Sequence, residues 1–244
     1  MENNNDVSKS LDVFFKEVND SRPTSSNFLS WFLINYFAID EDLVLDYVCD
    51  SINDKGIDGI YVDESSEEIY IFQSKYSSVT HKTQGDNDLR NFFGSREWFS
   101  SAENVESLLD STASPELKYL VSRLGLKDLI AEGFSLILVF VTTKNFDPNA
   151  QEYLKTVGGK LVGYDRTRLE REYIYTSESD SPAGKLQIDL FEGKFIKGQL
   201  SGGNQYFVLP YKVKELIKLE GIKNKTLFSK NVRYGLGKTR VNKD

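Results

Sequence analysis

Histidine and cysteine are almost absent from this chain of 244 residues, with His81 and Cys49 occurring once each. A single thiol closes no intramolecular disulfide. One imidazole and one thiol also support neither a zinc finger nor Ser/His or Cys/His nucleophilic chemistry. Any metal that the chain uses is therefore expected to be held by oxygen. No run of 18 apolar residues and no basic-then-apolar N-terminus is present, so no membrane span or signal peptide is expected, and the simplest location is cytoplasmic. What is present is an ordinary globular composition, 39% hydrophobic and 13% aromatic. The length suffices for one generous core, or for one domain with part of another.

A net charge of −7 argues against a partner of nucleic acid until it is divided along the chain. Residues 185–244 hold 13 lysines and arginines against 5 acidic residues, a charge of +8. Residues 1–184 hold 17 against 32, a charge of −15. Clustered cations release counterions from a polyanion, so the asymmetry favours contact with phosphates near the C-terminus, while a solvated basic surface explains the same numbers equally well.

The periodicities alternate between helix and strand. Apolar residues at helical spacing predict helices over Val7–Asn19 and over Ser25–Phe37, the second started by a Ser/Asn cap, with a short third helix over Asp40–Cys49. A β-hairpin is expected over 57–75. Helices follow near Asp88–Phe99 and over Glu116–Glu132, with Gly125 as a weak point. The run Phe134–Thr142, FSLILVFVT, reads as a central strand buried on both faces, followed by a helix over Asn149–Val157 and a strand over Lys160–Tyr164. This order describes an α/β protein with a mixed central sheet flanked by helices. Beyond that, SESDSPAG at 177–184 is of linker composition. Short strands around Leu186–Leu190, Phe195–Leu200 and Gln205–Leu209, a GGN turn at 202–204 and a helix over Val213–Leu219 suggest a small basic β/α segment.

The chemistry gathers in DKGIDGIYVDESSEEIYIFQSKY, residues 54–76. A strand's period of two places Ile69, Ile71, Gln73 and Lys75 on one face, so a core-facing row ends in an amide and an ammonium. Burying either is costly without a partner. A turn over Asp63–Glu68 folds this strand back beside the one carrying Asp58, which brings Asp58, Gln73 and Lys75 to one end of the hairpin. Asp-Gly is also a turn signal, reinforced by Asp54, Lys55 and Gly56, but the apolar run after Gly59 favours strand over turn. A plain Asp58–Lys75 ion pair is the structural alternative, against which stands the better fit of a hydrophobic residue at a merely structural strand end.

A strand carrying Asp, a hairpin turn and a strand ending in (D/E/Q)-x-K, amid helices, resembles the PD-(D/E)xK restriction-endonuclease-like nucleases, and its Gln resembles the Mrr-like branch. Together with LFSKNVRYGLGKTRVN near the end, the stretch resembles the AIPR proteins, named for abortive-infection phage resistance. The resemblance implies a nuclease domain over 1–176, a linker over 177–184, and over 185–244 the start of a second domain, truncated relative to the longer AIPR proteins. It implies Mg²⁺- or Mn²⁺-dependent hydrolysis of phosphodiesters, DNA ahead of RNA, in antiphage defence, with a homodimer for double-strand cutting and no membrane partner. The site it implies is Asp58, Gln73 and Lys75. Asp58, the Gln73 amide oxygen and the Ser74 backbone carbonyl would be metal ligands, with the Ser74 side chain on the opposite face and Glu17 a further ligand from the first helix. Asp54 is an auxiliary ligand or, more simply, a turn cap, while Tyr76 and Gln84 are groove-lining candidates. Phosphodiester hydrolysis needs a hard divalent cation to activate water and offset growing charge, and Lys75 would position the water and stabilise the phosphate. The competing reading is an inactive nucleic-acid-binding or sensing module, and a third is a protein-partner surface on 185–244. GLGKT at 235–239 lacks the leading glycine of a phosphate-binding loop, and GYDRTRLEREY at 163–173 reads as a solvated strand-to-helix exit.

Overall fold

The computed structural model describes residues 6–18, 22–49, 51–79, 81–173, 196–199 and 205–208. Its centre is a mixed four-stranded sheet in the order β1-β2-β4-β6, made of β1 (Gly59–Asp63), β2 (Glu68–Lys75), β4 (Ser135–Thr142) and β6 (Leu161–Tyr164). β1 and β2 pair antiparallel from Gly59↔Phe72 to Asp63↔Glu68. β4 runs parallel to β2 from Glu68↔Ser135 to Lys75↔Thr142, and β6 parallel to β4. A small parallel pair, β3 (Thr83–Gln84) and β5 (Asn145–Phe146), lies apart from this sheet.

Both faces are covered, which is why β2 and β4 read as almost continuous apolar runs. Ile69, Ile71, Leu138 and Phe140 pack with Leu89 and Phe92 of α3 (Asp86–Gly94), Val105 of α4 (Ala102–Asp110), Leu117 of α5 (Pro115–Arg123), Leu126 of α6 (Leu126–Glu132) and Ala150 of α7 (Pro148–Val157). Phe72, Val139 and Val141 face the other way. They pack under Leu11 of α1 (Asp6–Glu17), Phe28, Leu29 and Phe32 of α2 (Thr24–Phe37) and Leu169 of α8 (Arg166–Glu172). Each fully buried Phe, Leu or Ile is worth about 1.5–3 kcal/mol of apolar transfer, so the two layers hold β2 from both sides and leave its register no freedom to slip.

Several local expectations change. The second helix has Pro23 at its N-cap with no side-chain cap, because Ser26 and Asn27 are buried in its first turns. It stops at Ala38, in the left-handed region at φ +53°. The segment 40–49 is not an α-helix but turns and a short 3-10 helix, Val44–Tyr47, because Val48 must extend to bridge Gly59. The 88–99 helix starts earlier, at Asp86, and finishes as a 3-10 turn over Ser95–Phe99. The 116–132 helix breaks into α5 and α6 at Gly125, φ +63°. α4 was not expected from the sequence at all. Its signals are a Ser101 cap that accepts from the Asn104 N–H, and Val105, Leu108 and Leu109 at helical spacing.

Residues up to Tyr173 form one compact unit, and the antiparallel hairpin of β7 (Ile196–Gln199) and β8 (Gln205–Val208) belongs to another. The expected linker 177–184, strand 186–190, turn 202–204, helix 213–219 and the LFSKNVRYGLGKTRVN motif lie outside the described residues. Among the described residues no helix is long and apolar enough to cross a membrane.

Candidate active site

The site begins with a tight turn. Ile57 N–H donates to the Asp54 carbonyl (3.1 Å), and Gly56 N–H donates to Asp54 Oδ1 (2.7 Å). Lys55 and Gly56 both lie at positive φ, +59° and +75°. Gly56 is required twice over, because a Cβ there would also sit 3.1 Å from Gln73 Nε2. The turn signal in DKGIDG is thus spent on 54–57. Asp58 lies beyond it, with its N–H donating to the Phe72 carbonyl (2.8 Å), so it enters the hairpin and does not cap a tip.

β1 pairs with β2 only as far as Gly59↔Phe72, so the next outward amide of β2, that of Ser74, needs another acceptor. The Asp58 carboxylate supplies it. Oδ2 accepts from Ser74 N–H at 2.6 Å and lies 3.1 Å from Ser74 Oγ, which is also 3.0 Å from the Ser25 carbonyl at the start of α2. The Ser74 hydroxyl is therefore a structural contact of Asp58, which sequence reasoning missed by placing that side chain away from the site. Burial pushes the Asp58 carboxyl up to about 6, the Ser74 amide pulls it down, the Asp54 carboxylate pushes it up, and the Ser74 hydroxyl and Lys75 ammonium pull it down.

Gln73 is 8% exposed. Its Nε2 donates to the Gly56 carbonyl (2.9 Å), while its Oε1 is buried with no hydrogen-bond partner. Lys75 is the last residue of β2 and is exposed, and the strand's alternation gives it the same face as Gln73. After the contacts that hold the fold, three polar groups are left over: Asp58 Oδ1, Gln73 Oε1 and the Lys75 ammonium. Among the described residues none of the three is assigned a hydrogen bond.

The other sequence candidates are placed differently. Glu17 is exposed in the last turn of α1, and no contact among the described residues joins it to Asp58. Gln84 is buried and donates to Asp88 Oδ2 (2.8 Å) and the Gly85 carbonyl (3.2 Å), which ties β3 to the first turn of α3 and makes it a structural group. Tyr76 stacks edge-on against Phe15, with ring centroids 5.1 Å apart. It lines a cavity of about 220 Å³ with Ser77, Thr143, Arg166 and Glu170, just past the C-terminal ends of β2 and β4. Open α/β sheets commonly bind ligands in that position.

A hard divalent cation fits the left-over groups in kind. A buried amide oxygen without a donor and a carboxylate oxygen without a partner are the all-oxygen donors that Mg²⁺ and Mn²⁺ take. The set is lean, because no three His, Cys, Asp or Glu side chains form a metal-holding group among the described residues. No protein-family model, no curated protein and no solved structure matches the chain.

Proposed function

We propose that the chain is a metal-dependent nuclease of the restriction-endonuclease-like kind that hydrolyses phosphodiester bonds of nucleic acid, DNA ahead of RNA, in antiphage defence by abortive infection. The observation that carries the hydrolytic part is the pattern of satisfaction at the open end of the hairpin. One oxygen of Asp58 and the amide nitrogen of Gln73 hold the fold, while the second oxygen of Asp58 and the amide oxygen of Gln73 are left over at the strand end that carries an exposed lysine. A solely structural strand end would pair or omit all three groups. The antiphage part rests on the resemblance of DKGIDGIYVD and IYIFQSKY, together with LFSKNVRYGLGKTRVN, to AIPR proteins.

In this reading Asp58 and the Gln73 amide oxygen hold the cation, with the Ser74 backbone carbonyl beside them. A bound Mg²⁺ or Mn²⁺ supplies Lewis acidity and offsets the charge that grows on the phosphate. Asp58 is ionised at neutral pH, because its carboxyl lies near 6, so it meets a cation as a carboxylate. Ser74 fixes the direction of that carboxylate through two contacts. Lys75, whose ammonium has no hydrogen-bond partner among the described residues, orients the attacking water and donates to the non-bridging phosphate oxygen as negative charge develops.

One observation favours the inactive binding module: the neutral side chain at 73 leaves Asp58 without a second acid at the open end of β2. A plasmid-nicking assay separates the two. The nuclease nicks or linearises supercoiled DNA with Mg²⁺ or Mn²⁺ and is silent in EDTA, whereas retention of DNA in EDTA without cleavage in either metal supports the module and ends the nuclease reading.

A further inference from the structure

We infer that Asp54 provides the second carboxylate of the divalent-cation site, the charge that a glutamine at position 73 cannot provide. The inference rests on the nuclease reading for its purpose but on separate geometry for its residue. The turn over 54–57 doubles the chain back within four residues, closed by Ile57 N–H on the Asp54 carbonyl, and so returns Asp54 to the neighbourhood of Asp58. Gly56 N–H holds Asp54 Oδ1 at this turn, and Asp58 follows directly on Ile57, whose N–H closes it.

Gln73 is the second observation, and it points the same way. Its amide reaches under this turn, since Nε2 bonds the Gly56 carbonyl and would nearly touch a Cβ on Gly56. Amide nitrogen and oxygen share one carbon, so the buried, partnerless Oε1 is held at the same turn. A buried acceptor without a donor is unfavourable alone, and a divalent cation held by it together with the two carboxylates relieves it. The Gly56 N–H bond to Asp54 Oδ1 then does more than cap the turn, because it sets the orientation of the carboxylate.

A cap and a ligand differ in what happens without metal. A cap stabilises the apo fold. A ligand lifts stability only when a cation is present, and removing its charge relieves Asp58. Asp54→Asn keeps an oxygen for the Gly56 N–H, so its turn survives. The experiment measures Mn²⁺ binding by titration calorimetry, and melting temperature with and without Mn²⁺, for the whole chain and for Asp54→Asn, Asp58→Asn, Gln73→Glu and the double variant Asp54→Asn/Gln73→Glu. Asp54→Asn is expected to weaken Mn²⁺ binding at least tenfold and to melt no lower than wild type in EDTA, and Gln73→Glu on that background is expected to restore most of the affinity. If Asp54→Asn melts lower in EDTA, Asp54→Ser, whose hydroxyl also caps the turn, is measured alongside it. Mn²⁺ affinity within twofold of wild type in both, with Asp58→Asn unable to bind, overturns the role of Asp54 and leaves the nuclease reading standing. Wild-type protein that binds no Mn²⁺ overturns both.

Discussion

Asp58 stands just before the five-residue strand β1 and Asp63 ends it, and their surroundings push their carboxyls in opposite directions. Burial raises both. At Asp63 it is outweighed by hydrogen bonds from the side chains and backbone amides of Ser65 and Ser66, including Ser65 Oγ at 2.6 Å and Ser65 N–H at 2.9 Å, and the carboxyl falls below its ordinary range. At Asp58 the two contacts from Ser74 do not offset burial and the Asp54 charge, and the carboxyl rises to about 6. The closed end of the hairpin is solvated by its own turn. The open end is left short of positive charge. An aspartate that folding alone had shaped would resemble Asp63, and the contrast marks the open end as the place where a cation has something to gain.

The comparison breaks most visibly in catalysis. Asp58→Ala is expected to lose both Mn²⁺ binding and cleavage, and Lys75→Ala to lose on the order of a hundredfold or more in cleavage rate while keeping metal affinity. Asp63→Ala is expected to cleave normally per folded molecule. Rates on supercoiled plasmid, normalised to folded protein, decide it, and an Asp63 variant as inactive as the Asp58 variant would erase the distinction between the two ends.

Stability comes next, with opposite signs. A carboxyl whose folded value is raised favours the fold when protonated, so the Asp58 contribution is fully present below about pH 4 and lost as pH rises through about 6. Asp63 is the reverse: its contribution is present above its ordinary range and lost as pH falls through its lower folded value. Asp58→Asn is therefore expected to stabilise the metal-free protein at pH 7.5 by on the order of 2 kcal/mol, with the gain vanishing toward pH 4, while Asp63→Asn destabilises it by about 1 kcal/mol. Denaturant unfolding in EDTA at pH 4.5, 6 and 7.5 measures both. An Asp58→Asn variant that is less stable than wild type at pH 7.5 would show that its charge is already compensated within the fold.

Smaller effects sharpen the picture. Gln73→Glu keeps an oxygen in place and adds a charge, so Mn²⁺ binding is expected to tighten several-fold with cleavage kept or raised, while the metal-free melting temperature falls from repulsion with Asp58. Unchanged affinity with a lower melting temperature in both conditions would favour the inactive module. Glu17→Gln is expected to change metal affinity and cleavage less than about threefold, since its side chain is exposed and no contact joins it to the site. A larger loss would mean that α1 contributes a ligand after all.

Much of the fold was legible because a few runs admit one interpretation. FSLILVFVT has no polar stripe and so demands a strand covered on both faces, and the hairpin of 57–75 is bounded by turn residues on its outer side. α4 escaped because AENVESLLD carries only three apolar anchors, and the 3-10 turn at Val44–Tyr47 escaped because its form follows from the bridge between Val48 and Gly59, a partner eleven residues away. That Gln73 and Lys75 share one face of β2 was likewise readable from the period of two.

Their states of satisfaction were not. Sequence spacing determines which side chains share a face. It cannot tell that β1 releases β2 one amide early, that Ser74 therefore takes one oxygen of Asp58, or that the Gly56 carbonyl accepts from the amide nitrogen of Gln73 and leaves the oxygen bare. Those are consequences of where two strands part and of how a positive-φ turn folds under a neighbouring strand, and only the assembled hairpin between its two helical layers decides them.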